Sequence, residues 1–226
     1  MADNLQPLHV PIKRRSFFMY AGATAGATAL VLAGCSKDSD TTPSSTISLG
    51  TGDASVLNYA YALEQLEAAF YAQVAKAPAA DFSATELLYF QEVAKHEAIH
   101  RDFLKAAINR DAPGKLLQDL TPNFTTVDFT KRKSVLDAAQ AFEDLGVSAY
   151  NGAGKLIKNA AYLVIAGQIV SVEARHASII RDFVSPGTFS DTADANGLDL
   201  SRTPVEVLTI AQQYITEKLD GSTVGQ

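Results

Sequence analysis

Glu97-Ala98-Ile99-His100 and Glu173-Ala174-Arg175-His176 are two copies of one pattern, Glu-x-x-His. Each copy has a lone glutamate upstream. Glu64 precedes Glu97 by 33 residues, and Glu143 precedes Glu173 by 30. Each lone glutamate is followed seven residues later by a tyrosine, Tyr71 and Tyr150. The chain holds 4 histidines, and two of them fall in the motifs. One Glu-x-x-His carries little information. Two copies, each paired with an upstream glutamate at matching spacing, form a constellation.

The surrounding residues predict helices. Leu57, Ala60, Tyr61, Ala68, Tyr71 and Ala75 recur at helical spacing from about Asp53 or Ser55 to Lys76, with Glu64 in mid-stripe. Ser83 followed by Glu86 is a capping-box start. The stripe after it, Phe90, Val93, Leu104 and Ile108, centres on Glu97, with His100 one turn on. Residues 109–130 carry Pro113-Gly114 and Pro122-Asn123, which predicts a long crossover with "FTTVDF" (124–129) as a short extended piece. A third helix, Lys131 to Lys158, carries Leu136, Ala139, Val147, Tyr150 and Ile157 around Glu143. Gly146, Gly152 and Gly154 weaken it and allow close packing or a kink. A fourth, Ala160 to Val184, centres on Glu173 and stops at Ser185-Pro186-Gly187. Thr203-Pro204-Val205-Glu206 starts a short helix expected to reach about Leu219, with the last residues frayed. The fold class is all-α: a four-helix bundle over 53–185, a long crossover between its second and third helices, and a C-terminal extension, 186–226, with one extra helix.

A glutamate at the centre of an apolar stripe is unfavourable, because an uncompensated buried carboxylate costs several kcal/mol or takes up a proton. Four such glutamates, one per helix, call for a shared cation. The i, i+3 spacing puts each motif's carboxylate and imidazole on one helix face. The predicted ligands are Glu64, Glu97, His100, Glu143, Glu173 and His176, around two ions about 3.5–4 Å apart. The alternative is a metal-free core in which the charged groups satisfy one another. Flanking positions admit two readings each. Glu67 is a supporting or alternative ligand, or part of a solvated face. His96 is a neighbour of the site, or a partly exposed histidine. Tyr71 and Tyr150 hydrogen-bond ligand carboxylates, or fill core volume. Arg101-Asp102-Phe103 and Arg181-Asp182-Phe183 repeat a triplet whose offset from the motif histidine differs, so it takes no metal role.

The stretches "LNYAYALEQLEAAFY", "FQEVAKHEAIHRDFL", "AFEDLGVSAYNGA" and "IVSVEARHASIIRDF", within residues 55–184, resemble the ferritin-like superfamily. Within it they are similar to bacterial ferritin-like-domain proteins related to plant desiccation-related and fungal stress proteins. The resemblance implies a ferritin-like four-helix bundle and a di-metal site, and it gives a fold and a site more than a reaction.

The N-terminus reads as an export signal, residues 1–34. "KRRSFF" is a basic start with adjacent Arg14 and Arg15, followed by a short Ala- and Gly-rich apolar run. It is either a twin-arginine signal or a general secretory one. Leu32-Ala33-Gly34-Cys35 resembles a lipobox, which makes Cys35, the only cysteine, a lipidation site. Residues 35–52 then read as a lipidated flexible tether. The expected location is the bacterial cell envelope, periplasmic or outer-membrane-associated, with the membrane contacted only through the lipid. The chain after residue 34 has a net charge of -8, against -6 for the whole, and an acidic surface argues against nucleic-acid binding.

Two functions follow as expectations. The first is a di-iron protein, with manganese as the other metal, oxidising Fe(II) or reacting with dioxygen or peroxide. There Glu64 and Glu143 would be terminal ligands, Glu97 and Glu173 would bridge, and His100 and His176 would each bind one ion. With no Cys-x-x-Cys pairs, turnover would need an external reductant. The second is a metal-binding or stress-related structural lipoprotein without turnover. A lipid tether disfavours a closed iron-storage cage.

Overall fold

The computed structural model describes residues 46–226. The expected export signal, the lipidated Cys35 and most of the tether lie outside the described residues. The elements are β1 (Ile47–Ser48), α1 (Gly52–Lys76), α2 (Ala84–Asp111), α3 (Arg132–Ala153), α4 (Ala160–Val184), α5 (Pro204–Ala211) and β2 (Leu219–Asp220). The two strands pair in parallel, Ile47 with Leu219 and Ser48 with Asp220.

Contacts at the helix ends fix the bundle's topology. Asp53, at the start of α1, accepts from the Lys158 and Asn159 amides just past α3, at 2.8 Å each. At the other end, the Arg132 amide that opens α3 donates to Asp81 before α2, at 2.9 Å. So α1 and α3 run antiparallel. Tyr162, early in α4, donates to Asp111 at the end of α2, so α2 and α4 are also antiparallel. The link from α2 to α3 must therefore traverse the bundle. A helix of 25 residues such as α1 is about 37 Å long at ~1.5 Å per residue, so this takes a long crossover.

Two buried polar residues of α1 hold that crossover. Asn58 donates to the carbonyls of Leu49 (3.1 Å) and Lys115 (2.7 Å) and accepts from the Leu117 amide (2.9 Å). Gln65 accepts from the Leu120 amide at 2.8 Å. Phe124 and Phe129 then pack around the buried Phe70, with ring centroids 5.7 and 5.6 Å away. Seating both rings there curls residues 124–129 into turns, and the expected extended piece does not form.

Other boundaries also differ from expectation. The third helix ends at Ala153 and closes with a 3-10 turn, Gly154–Leu156, because the Asp53 carboxylate gathers the amides beyond it. The C-terminal helix stops at Ala211, with a 3-10 turn to Tyr214, well short of Leu219. Past it, Ile215 is buried and bridges to Pro122. The final residues do not fray. Gln226 accepts from the Gly52 amide at 2.7 Å, Thr223 donates to the Gly50 carbonyl at 2.7 Å, and Val224 is buried. The same contacts mean that the end of the expected tether belongs to the domain, since Leu49 lies in the core.

One glycine of α3 is required by a close approach. A Cβ on Gly152 would lie 1.7 Å from the Arg202 carbonyl oxygen, where the C-terminal segment crosses the helix. By length and composition α4 is apolar enough to cross a membrane, but Glu173 and His176 on it are buried within the bundle.

Candidate metal centre

The structure brings all six sequence-predicted ligands together at mid-bundle. Glu64 on α1, Glu97 and His100 on α2, and Glu173 on α4 offer ligand atoms within 4.8 Å of one another. Glu97, Glu143 on α3, Glu173 and His176 form a second such group. Glu97 and Glu173 belong to both, each with a different oxygen toward each group. His100 Nδ1 lies 3.4 Å from Glu97 Oε2, 2.8 Å from Glu173 Oε1 and 3.6 Å from Glu64 Oε2. His176 Nδ1 lies 2.9 Å from Glu97 Oε1, 3.4 Å from Glu173 Oε2 and 3.6 Å from Glu143 Oε2. The arrangement is two-fold in character: one lone glutamate and one imidazole at each end, two shared carboxylates between.

The tyrosines act crosswise. Tyr71 on α1 donates to Glu143 Oε1 on α3, and Tyr150 on α3 donates to Glu64 Oε1 on α1, at 2.5 Å. Helical side chains lean toward the N-terminus of their own helix. A tyrosine about two turns beyond each glutamate therefore leans back over the centre and reaches the facing helix. Each lone glutamate thus commits one oxygen to a tyrosine and leaves the other free.

The free atoms point to a cation. Glu64 Oε2, Glu97 Oε1, Glu143 Oε2, both Glu173 oxygens and His176 Nδ1 are buried without a hydrogen-bond partner. The short approaches among them are ion-pair distances lacking hydrogen-bond alignment. Buried polar atoms are nearly always satisfied, and six orphans in one cluster are the fingerprint of a missing electrophile. The donors, carboxylate oxygen and imidazole nitrogen, suit divalent transition metals. The cluster can hold a metal ion, and the residues fit one.

Electrostatics in the metal-free state agree. Burial pushes the Glu64 carboxyl well up, only partly opposed by His100, and pushes Glu143 up to about 8. Burial also works against the Glu97 charge, but both imidazoles outweigh it and hold Glu97 at about 2. His100 and His176 resist burial through their carboxylate neighbours and are pushed up to about 12. Without metal, the centre keeps two imidazolium charges and stores protons on its terminal glutamates.

The flanking residues resolve as follows. Glu67 is not on a solvated face: it is buried, with Oε1 3.0 Å from where a Gly146 Cβ would be, and burial pushes its carboxyl well up. Gly146 stands three residues past Glu143, as Glu67 stands three past Glu64, so the one position makes room for the other. His96 is exposed, yet its Nδ1 lies 2.9 Å from His176 Nε2 and the two rings stack at 5.2 Å. Arg181, from the repeated triplet, is buried, ties Asp144 to Asp191 and touches no ligand. Asn58 and Gln65, which anchor the crossover beside the centre, were missed in the sequence. Their signal was a polar residue within an apolar stripe.

A helical bundle whose core gathers carboxylates and imidazoles able to hold a metal ion defines a class of metal-binding helical proteins. This chain belongs to the ferritin-like domain family, whose model matches residues 52–186. No curated protein matches the chain.

Proposed function

We propose that the chain is a di-metal carboxylate protein, with two iron ions as its metal and manganese as the alternative, that reacts with dioxygen or peroxide. The observation carrying this reading is the set of orphaned buried ligand atoms, split between two groups that share Glu97 and Glu173. In it, Glu64 and His100 would hold one ion and Glu143 and His176 the other, with Glu97 and Glu173 each able to offer an oxygen to both. A reduced pair of ions there would supply electrons to an oxidant.

The chain's own residues do the rest. The tyrosines fix the lone glutamates so that one oxygen faces inward. The four glutamates are buried, while His100 and His176 line a surface pocket between α2 and α4. With Nδ1 given to a metal, His176 would keep its proton on Nε2 and donate it to His96 Nδ1, which sets the ring's orientation. His96 can accept there as a neutral imidazole whose Nδ1 carries no proton. One cysteine leaves no thiolate cluster for electron transfer, so turnover draws on an external reductant. The N-terminal sequence supports export and lipid attachment at Cys35 in a bacterial envelope.

Anaerobic loading with Fe(II), followed by mixing with dioxygen or hydrogen peroxide, tests the reading. It predicts oxidant consumption coupled to oxidation of bound iron. Bound iron that stays reduced in both oxidants would leave a metal-binding protein without turnover.

A further inference from the structure

The two motif copies, Glu97-Ala98-Ile99-His100 and Glu173-Ala174-Arg175-His176, differ only at their third position. That position faces the same place in both. Ile99 and Arg175 line a pocket of about 380 Å³ that opens at the surface between α2 and α4, with His100 and His176 also in its walls. Helical spacing accounts for the lining. Glu92, His96 and Ile99 follow one another at four and three residues on α2, as do Val172, Arg175 and Ile179 at three and four on α4, so each helix turns one stripe to the pocket.

The stripes differ in chemistry as the motifs do. Val93, Ile99, Val172 and Ile179 make most of the wall aliphatic, and Ile99 and Ile179 leave 61% and 42% of their surface in water. Most polar groups there are already engaged. The Tyr89 hydroxyl donates to the His176 carbonyl at 2.8 Å, His96 Nδ1 faces His176 Nε2, and Glu92 is neutralised by Lys95 at 2.6 Å. Arg175 is the exception. Its Nη1 donates to the Ser171 hydroxyl at 3.2 Å, and among the described residues no carboxylate pairs with it. Small-molecule sites have about 300–1,000 Å³, mostly apolar walls and a few polar groups that fix orientation. A guanidinium with donors to spare matches a carboxylate, which accepts two parallel N–H···O bonds.

From this pairing of an aliphatic wall with one unpaired cation, we infer that the pocket binds a small organic carboxylate. Its apolar body lies against Ile99, Val172 and Ile179, and Arg175 holds its head group. The inference rests on the di-metal reading for its purpose, since it names the class of molecule presented to the centre. The binding property belongs to the chain alone.

Nuclear magnetic resonance titration of the purified, chelated protein with hexanoate and with its neutral counterpart hexanamide tests it. Hexanoate should bind saturably, shift the amides of residues 92–100 and 172–179, and bind about fivefold more tightly than hexanamide. Arg175→Gln should remove that preference and leave hexanamide binding unchanged. Ile179→Asp should weaken both ligands. Both positions are exposed, so the spectra of the free variants should otherwise overlay that of the unmodified chain. Hexanoate that fails to saturate would overturn the inference. So would equal affinity for the two ligands, or a preference that survives Arg175→Gln. A chain that binds hexanoate but no iron would instead defeat the metal reading and leave the pocket standing.

Discussion

Glu143 and Glu97 are both buried carboxylates, and they sit on opposite sides of neutrality in the metal-free protein. Glu143 is pushed up to about 8 by burial, so at pH 7 it is mostly protonated. Glu97 is held at about 2 by two imidazoles, so it is charged. Glu143→Gln imitates the protonated form and keeps an oxygen for the Tyr71 hydroxyl. Calorimetry of chelated protein at pH 7 should place it within about 1 kcal/mol of the unmodified chain. Metal analysis should show it losing the ion on the His176 side. Glu97→Gln should destabilise the chelated protein by about 3 kcal/mol or more, because it leaves buried imidazolium charge unpaired. Equal destabilisation by the two variants would contradict this ordering. The six clustered residues were legible in the sequence because helical periodicity puts each on a stripe. The crosswise tyrosine bonds were not, because they depend on which helices face each other. Nor was the burial of Glu67, whose space is made by Gly146 on another helix.

The four long helices were legible at the element scale from stripe and capping residues alone. Ser83 and Glu86 form the capping box that they spell, and so do Thr203 and Glu206. What escaped were segments shaped by distant partners. "FTTVDF" has a strand's composition but curls so that Phe124 and Phe129 reach Phe70. The last helix ends early because Ile215 and Val224 find burial elsewhere. Asn58 shows how strongly such partners act. Its amide satisfies two carbonyls and one amide of the β1–α1 link and the crossover. Asn58→Ala orphans these groups and should cost about 3 kcal/mol in chemical denaturation, at ~1–3 kcal/mol for each buried unsatisfied group. Hydrogen exchange at the Leu117 amide should accelerate with it. A loss below about 1 kcal/mol would mean that the crossover is held mainly by its apolar contacts.

For the whole molecule, the proton inventory of the centre links stability to pH. A carboxyl with a folded pKa above its unfolded value stabilises the fold at low pH. That contribution fades as pH rises through the interval between the two values. For Glu143 the interval runs from 4.5 to about 8, and Glu64 and Glu67 shift in the same direction. The imidazole contributions, raised from 6.5 to about 12, begin to fade above about pH 6.5 and so add to the same loss. Chelated protein should therefore lose stability between about pH 5 and pH 8. Metal displaces the stored protons, so its affinity rises over the same range. The melting-temperature gap between metal-loaded and chelated protein should widen from pH 5 to pH 8. A gap that narrows would contradict the assignment of protons to the terminal glutamates.

The central claim is that six residues from four helices hold two metal ions. The most direct measurement is an anaerobic Fe(II) titration of the purified protein, with bound metal counted by elemental analysis and melting temperature followed in parallel. The account predicts saturation at about two ions per chain and a higher melting temperature on loading. It also predicts loss of both ions in Glu97→Ala and in Glu173→Ala, since each carboxylate serves both groups. No bound metal in the unmodified protein, with a melting temperature unchanged by Fe(II), Mn(II) or chelator, would contradict it.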